Sequence, residues 1–242
     1  MPGKFGSFAA MKKYAVIVAG GSGARMGSSV PKQFLLLRGK PVLWHTLTVF
    51  LAAYDDLELI LVLPAAHLEA GRELAGSLSG GARVRVTAGG PTRWHSVSKG
   101  LELVEEDALV AVHDGVRCLV SVELIRRCFG QAERLGSAIP TVGCKDSVRV
   151  IRGEGSEAVD RDLVRLVQTP QVFRAPILLQ AFRAGYRESF TDETMVVEAS
   201  GAAVHLAEGD PSNIKITTPL DLILAEKILE MGGTAASSVG NG

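Results

Sequence analysis

Between residues 14 and 142 the chain alternates strand-like runs rich in β-branched residues with helix-like stretches, and this alternation limits the fold more than any other feature of the sequence. The strand-like runs fall at 14–18, 58–63, 83–87, 109–113 and 137–142. Between them, "PVLWHTLTVFLAA" opens on Pro41, which a first helical turn tolerates, and brings Val42, Leu43, Leu47, Phe50 and Leu51 close to one face. "HLEAGRELAGSL", "TRWHSVSKGLELV" and "SVELIRRCFGQAERLG" read the same way. Strands alternating with helices give parallel βαβ units, right-handed crossovers and a sheet covered on both faces. With 242 residues, 47% hydrophobic and only 5% aromatic, the chain suits one core of aliphatic layers. Ligands of such folds bind beyond the carboxyl ends of the strands, which predicts that residues 15–34, 89–96 and 113–117 share one rim.

The first strand runs into "AGGSGARMG", where Gly20, Gly21 and Gly23 allow a tight turn with several N–H groups facing one ligand. A phosphate cradle and a plain turn after a strand both account for the glycines. Two known phosphate loops are excluded. Met26 stands where a dinucleotide fingerprint needs its third glycine, and no Gly-Lys pair is followed by Ser or Thr, Gly39-Lys40 preceding Pro41. Arg25 and Lys32 follow, in a segment (residues 1–54) that carries seven basic side chains and no Asp or Glu although the whole chain has zero net charge. That asymmetry predicts a local anion site and disfavours nucleic acid, which needs a basic surplus over a larger face. In "VAVHDGVR", Asp114 ends a buried strand, either as a turn cap or, with phosphates nearby, as a Mg²⁺ ligand. Arg117 is placed to clamp a phosphate, and His113 reads as a satisfied core or rim residue.

Three cysteines without a C-x-x-C pair argue against a disulfide framework and a zinc site, and suit a reducing cytoplasm. Apolar runs are too short to span a bilayer. The alternation breaks near residue 143, where "CKDSVRVIRGEGSEAVDRDLVRLVQTPQ" predicts two strands around "GEG". Such a hairpin is marginal alone and must lean on something, a second subunit being one candidate. "NIKITTPLDLILAEKILEM" predicts a strand followed by a Thr-Pro helix start and an amphipathic helix. The expected organisation is one domain over residues 11–231, an arm at about 143–168, and flexible termini at 1–10 and 232–242.

"AGGSGARMG", "PKQF", "GGPTRWHSVSKGL", "HDGVR", "DSV", "VDRD", "QTPQVF", "TDETMVVEASG" and "NIKITTP" occur in order. Together they resemble the 2-C-methyl-D-erythritol 4-phosphate cytidylyltransferase family. The resemblance runs from Tyr14 to about Leu229 and implies an α/β, Rossmann-like, mostly parallel sheet with helices on both faces and a protruding β-hairpin arm used in dimerisation. It implies transfer of CMP from CTP to methylerythritol phosphate with Mg²⁺, in isoprenoid precursor biosynthesis. By the same resemblance, Ala19, Gly20, Gly21 and Gly23 wrap the triphosphate while Arg25 and Lys32 are catalytic. Gly89, Gly90 and Ser96 read cytosine, Thr169 lies on the nucleotide side, and Asp114 contacts metal and acceptor. Arg117, Thr191 and Lys215 are acceptor-side positions. Ser147 and Arg161 lie on the arm that reaches the acceptor of the other protomer in a homodimer.

The chain departs from the family pattern at Cys118, where proline is frequent, at Ser147, where threonine is usual, and at Gly20, where many relatives have alanine. Pro91 replaces a polar residue found in some relatives. A ribitol 5-phosphate cytidylyltransferase is the near alternative in chemistry. A nicotinamide-dependent dehydrogenase is disfavoured by the failed fingerprint, and a non-catalytic nucleotide sensor has no need of Arg25, Lys32, Asp114 and Lys215 together.

Overall fold

The computed structural model describes residues 11–21 and 30–237, with side chains described as far as Met231. Gly23 and Arg25 therefore lie outside the described residues, as do the expected flexible residues 1–10. The chain enters through β1 (Lys12–Val18), makes a small antiparallel pair from β2 (Leu36–Leu37) and β3 (Lys40–Pro41), and continues into α1 (Val42–Ala53). Then follow β4 (Leu57–Leu63), α2 (Leu68–Gly76), β5 (Val84–Ala88), α3 (Arg93–Leu101), β6 (Ala108–Asp114), α4 (Val122–Leu135) and β7 (Ser137–Gly143). The alternation predicted over residues 14–142 is thus present in the predicted order.

β1 explains why the sheet is covered twice. Its residues alternate between faces with period two. Ala15 and Ile17 pack with Leu47, Phe50 and Phe129 of α1 and α4, while Tyr14, Val16 and Val18 pack with Val97 and Leu101 of α3 and with later helices. From Tyr14 onward β1 is buried, which is why it reads as a continuous apolar run. β6, β1, β4 and β5 lie side by side in parallel, β1 pairing with both β6 and β4. The chain moves outward from β1 to β5 and then crosses back to β6, so the strand order reverses beside β1. Such a reversal leaves a crevice above the carboxyl ends of the two strands.

After β7 come the strands β8 (Val148–Arg152) and β9 (Gly155–Val159), β10 (Arg165–Val167) and β11 (Gln171–Arg174). β8 and β9 form a separate antiparallel hairpin around Gly153-Glu154, as the "GEG" turn predicts. β11 inserts antiparallel between β6 and β7, which makes the sheet mixed rather than purely parallel. The chain closes with α5 (Ala175–Arg183), α6 (Glu193–Ala199), β12 (Leu206–Glu208), and α7 (Pro219–Ser237). α7 runs beyond the boundary at 231 expected from sequence. The strand expected within 213–217 does not form. That segment has no strand partner, and Ile216 donates its backbone N–H to Val116 O at 3.0 Å while its side chain is fully buried beside Leu37, Val42 and Ala225.

Close packing of α3 on the sheet depends on Gly100. A Cβ there would stand 2.5 Å from Val16 Cγ1 and 3.2 Å from Val62 Cγ2. Gly100→Val should therefore destabilise the protein by about 2 kcal/mol through overpacking, read as a lowered midpoint in urea unfolding. An unchanged midpoint would show that α3 does not pack as described.

Candidate active site

The carboxyl ends of β1, β5 and β6 carry the predicted rim. β1 and β6 are in register with Val18 opposite Asp114. Ala19 N donates to Val62 O at 3.0 Å, and Gly115 N donates to Val18 O at 2.9 Å, so the glycine loop and the "HDG" turn leave the sheet side by side. A Cβ on Gly115 would lie 3.0 Å from that of Ala19, so a glycine keeps the two turns this close. Gln33, 1% exposed, donates its amide to Ala19 O at 2.8 Å and ties the short "KQF" turn to the exit of β1. Lys32 lies over Gly21, with its Cε 3.2 Å from where a Cβ would be. The residues Ala19, Gly20, Gly21 and Lys32, predicted as a phosphate site, thus meet in one cleft.

The opposite wall of that cleft is the start of α3. Thr92 caps the helix by accepting from His95 N. Ser96 Oγ donates to Thr92 O at 3.0 Å and accepts from Gly90 N at 3.2 Å. Its hydroxyl, expected from sequence at the cytosine, thereby holds the Gly89-Gly90 turn in shape. Gly89 and Gly90 have no room for side chains: a Cβ would come within 2.7 Å of Ser96 Oγ and 2.4 Å of His95 Cβ respectively.

A second hollow adjoins the first and shares Arg93, Asp114 and Lys215 with it. Arg117, Thr169 and Thr191 line this second hollow. Thr169, expected on the nucleotide side, thus lies beside the acceptor-side residues. Ser147 and Arg161 line neither hollow of their own chain. Arg161 donates to Lys145 O at 3.0 Å at the base of the β8–β9 hairpin, and Ser147 and Arg161 are both exposed.

Asp114 is where the hollows meet. Its Oδ1 accepts from Arg93 Nε at 3.2 Å, and its Oδ2 lies 2.8 Å from Lys215 Nζ and 3.7 Å from Arg117 Nε. Burial alone would raise its pKa, but Arg93, Lys215 and Arg117 together hold it well below the usual carboxylate range. It is an anion at any working pH. Arg117 is kept in place by donating to Asn213 O at 2.8 Å, and Asn213 in turn donates to Thr169 O at 2.8 Å. Gln168 makes a two-point amide pair with the backbone of Asp210, donating to its O at 2.8 Å and accepting from its N at 3.1 Å. These contacts fix the 209–215 segment so that Lys215 reaches Asp114.

His113 has the satisfied position predicted for it. Its Nε2 lies 3.2 Å from Arg117 O and its Nδ1 3.0 Å from Thr169 Oγ1, while Asp114 N donates to that same Oγ1 at 3.1 Å. One assignment satisfies all three contacts: a neutral ring carrying its proton on Nε2, with the threonine hydroxyl donating to Nδ1. Burial lowers the ring's pKa to about 3.

Sequence reasoning missed Arg93 and Glu193. Arg93 donates to Asp114 and also makes two bonds to Glu193, at 2.5 and 2.9 Å, although the two residues are 100 apart in sequence. Burial opposes the Arg93 charge, but Glu193 and Asp114 outweigh it and raise its pKa. Both residues stand in quoted motifs, "GGPTRWHS" and "TDET". An acidic residue in a helix's first turn ordinarily faces solvent, so no local signal marks Glu193 as a residue only 1% exposed.

Comparison with known proteins gives a consistent result. The family model described as IspD, 2-C-methyl-D-erythritol 4-phosphate cytidylyltransferase, matches residues 13–231. The chain is 48% identical to the 2-C-methyl-D-erythritol 4-phosphate cytidylyltransferase of Bacteroides thetaiotaomicron, over 90% of this chain and 100% of that one. It is 49% identical to the Porphyromonas gingivalis protein of the same name, over 90% and 98%. Among solved structures, the 2-C-methyl-D-erythritol 4-phosphate cytidylyltransferase of Thermus thermophilus superposes with a TM-score of 0.70 at 33% identity, covering 89% of this chain and 98% of that one. The 4-diphosphocytidyl-2C-methyl-D-erythritol synthase of Anaerococcus prevotii gives a TM-score of 0.79 at 28% identity, covering 91% and 99%.

The His113 environment has a consequence for stability. The unfolded ring binds a proton below its ordinary pKa of 6.5, whereas the folded ring stays neutral to about 3, so stability falls as pH drops through that window. Between pH 7 and pH 5 this linkage removes about 2 kcal/mol. Urea unfolding at the two pH values should show that loss in the native chain and a flatter dependence in His113→Gln. Equal slopes would contradict a neutral, buried ring.

Proposed function

This chain belongs to the 2-C-methyl-D-erythritol 4-phosphate cytidylyltransferase family, and from that premise we propose how its cleft carries the family's reaction. The reaction transfers CMP from CTP to the phosphate of 2-C-methyl-D-erythritol 4-phosphate and releases pyrophosphate, a step of isoprenoid precursor biosynthesis. The observation that carries the assignment of residues is the pair of hollows joined at Asp114, one walled by bare backbone and Lys32, the other by Arg117 and Thr191.

CTP occupies the first hollow. Backbone groups of Ala19, Gly20, Gly21 and Gly23 hold its triphosphate, and Gly89, Gly90 and the turn fixed by Ser96 meet the cytosine. The acceptor phosphate lies in the second hollow against Arg117, Lys215 and Thr191, and Thr169 holds the backbone of Asp114 between the two. An oxygen of that phosphate forms a bond to the α-phosphorus as the bond to the β-phosphate breaks, and the electron pair leaves with pyrophosphate. Lys32 and Arg25 balance the charge gathered on the α-phosphate as this happens. The nucleophile is already an anion, so the chain's task is to align two repelling phosphates and shield their repulsion.

The chemistry also calls for a divalent cation, and Mg²⁺ suits the residues present. Asp114 is a hard oxygen donor held ionised, and a carboxylate has about four acceptor directions, of which Arg93 and Lys215 take two while Arg117 stands farther off at 3.7 Å. Among the described residues no group of three or more His, Cys, Asp or Glu is gathered to cage a metal. Asp114 would therefore hold the ion with one oxygen, the rest of its shell coming from the nucleotide's phosphates and water. When bound, the ion would neutralise part of the triphosphate charge.

The reading includes a homodimer in which each arm completes the other protomer's acceptor site. It is supported by the placing of Ser147 and Arg161 away from their own hollows, and by the exposure of Ile151 (74%) and Leu163 (81%) on and beside the hairpin. A cytoplasmic setting is supported by three free cysteines; burial pushes the Cys118 and Cys128 thiols up to about 12. No helix among the described residues is long and apolar enough to cross a membrane.

Pyrophosphate release with CTP should be strong for methylerythritol phosphate and weak for ribitol 5-phosphate; the reverse preference would overturn the acceptor assignment. Lys32→Ala and Arg25→Ala should each lose about 2–4 kcal/mol of transition-state stabilisation with the fold intact, seen as lowered kcat/KM. Near-native turnover would remove that residue from the mechanism. Mixing Arg161→Ala with Lys32→Ala protein should restore part of the lost activity, because exchanged dimers regain an intact site. Absence of recovery despite demonstrated subunit exchange would argue against shared sites.

A further inference from the structure

The Arg93–Glu193 pair joins two elements that otherwise belong to different halves of the site. Arg93 is the first residue of α3, the helix whose opening turn forms the nucleotide wall. Glu193 is the first residue of α6, directly after Thr191 and Asp192 on the acceptor wall. One guanidinium contacts three carboxylate oxygens: Asp114 Oδ1 through Nε, and both Glu193 oxygens through its two terminal nitrogens. We propose that Arg93 and Glu193 are a positioning pair, a strut that sets the spacing between the nucleotide and acceptor hollows and fixes which oxygen of Asp114 faces Lys215 and Arg117.

The two ends of the strut are not held equally. α3 is anchored independently of it, through the close approach of Gly100 to Val16 and Val62 and through the Thr92 cap. α3 also lies directly on β1, β4 and β5, whereas α6 packs chiefly on α5, and its first turn is capped by Asp192, which accepts from Met195 N at 3.1 Å. Gln171 holds that turn by donating to Asp192 at 3.3 Å and accepting from Thr194 N and Oγ1 at 3.0 and 3.1 Å, and Val196 and Val197 are buried beneath it. Loss of the strut therefore releases the acceptor wall more than the nucleotide wall.

Charge fixes the role of Arg93 as well as its place. Glu193 occupies both terminal nitrogens of the guanidinium, so Arg93 has no free fork with which to grip a phosphate, and its Nε goes to Asp114. Arg117 and Lys215 remain the cations that meet the acceptor. A lysine at position 93 would keep the charge but would not bridge two carboxylates in this planar geometry.

The proposal rests on the reaction assigned above, and the full-length protein tests the two separately. Steady-state kinetics with each substrate varied, together with calorimetric CTP binding in the absence of acceptor, would be measured for the native chain, Glu193→Gln, Glu193→Asp and Arg93→Lys. In Glu193→Gln, kcat/KM for the acceptor should fall about 30-fold while the CTP dissociation constant stays within about threefold of native. Glu193→Asp, which keeps the charge, should recover part of the loss, and Arg93→Lys should resemble Glu193→Gln. A pair that serves only stability would lower the thermal midpoint and the active fraction while leaving both KM values native, and that result overturns the strut. If Glu193→Gln does not fold, an acceptor kcat/KM equal to native in Glu193→Asp or Arg93→Lys overturns it just as well. A native chain that binds CTP yet transfers no CMP to any polyol phosphate overturns the reading of the reaction itself.

Discussion

Three cations from three separate stretches of chain converge on one carboxylate at the end of β6. Arg93 comes from α3, Arg117 from the turn after β6, and Lys215 from the segment before α7, and all three contact Asp114. Their mutual repulsion would drive them apart without an anion among them, and Asp114 would not remain ionised in a buried place without them. Each side of the arrangement therefore requires the other. Glu193 adds a second negative charge behind Arg93, and Asp192 on the acceptor wall adds a third, so three cations and three carboxylates meet around the acceptor hollow. Lys32 adds positive charge from the other wall of the cleft, at the rim where phosphates are expected.

The sheet topology decides why this cluster sits beside the glycine loop. β1 is paired in register with β6, and the strand order reverses next to it, so Val18 and Asp114 end at the same level. The chain leaves β1 toward one side and β6 toward the other, opening a crevice into which both turns project. Backbone donors of one turn and the charged cluster of the other then share a ligand without any long loop to bring them together.

Features with a local cause were legible in the sequence. The strand and helix alternation, the hairpin around "GEG", the glycine turn beside Lys32 and the rim position of Asp114 all follow from residues close to one another in the chain. What was not legible depends on partners far away. Arg93 and Glu193 look like two ordinary exposed charges until α3 and α6 pack together, and β11 and β12, at four and three residues, are too short to show a period. The segment 213–217 was misread for a physical reason. Its alternation is real, with Ile214 and Ile216 turned toward the cluster of Leu37 and Val42 and Lys215 turned to Asp114, but it arises from one buried side and one functional side instead of from strand pairing.

The protonation states around Asp114 also say what kind of catalyst this site can be. His113, the one histidine of its turn, is neutral and fully buried, and both ring nitrogens are engaged, so it serves as a brace for the Arg117 carbonyl and the Thr169 hydroxyl and not as a base. Asp114 stays ionised because the surrounding cations outweigh its burial, and a carboxylate held so far below its ordinary pKa is a poor proton acceptor. Both groups are locked in states that neither take up nor release a proton near neutrality. A site built this way holds charge without moving protons, which matches a reaction whose nucleophile and leaving group are both phosphate anions and whose barrier is set by their repulsion and alignment.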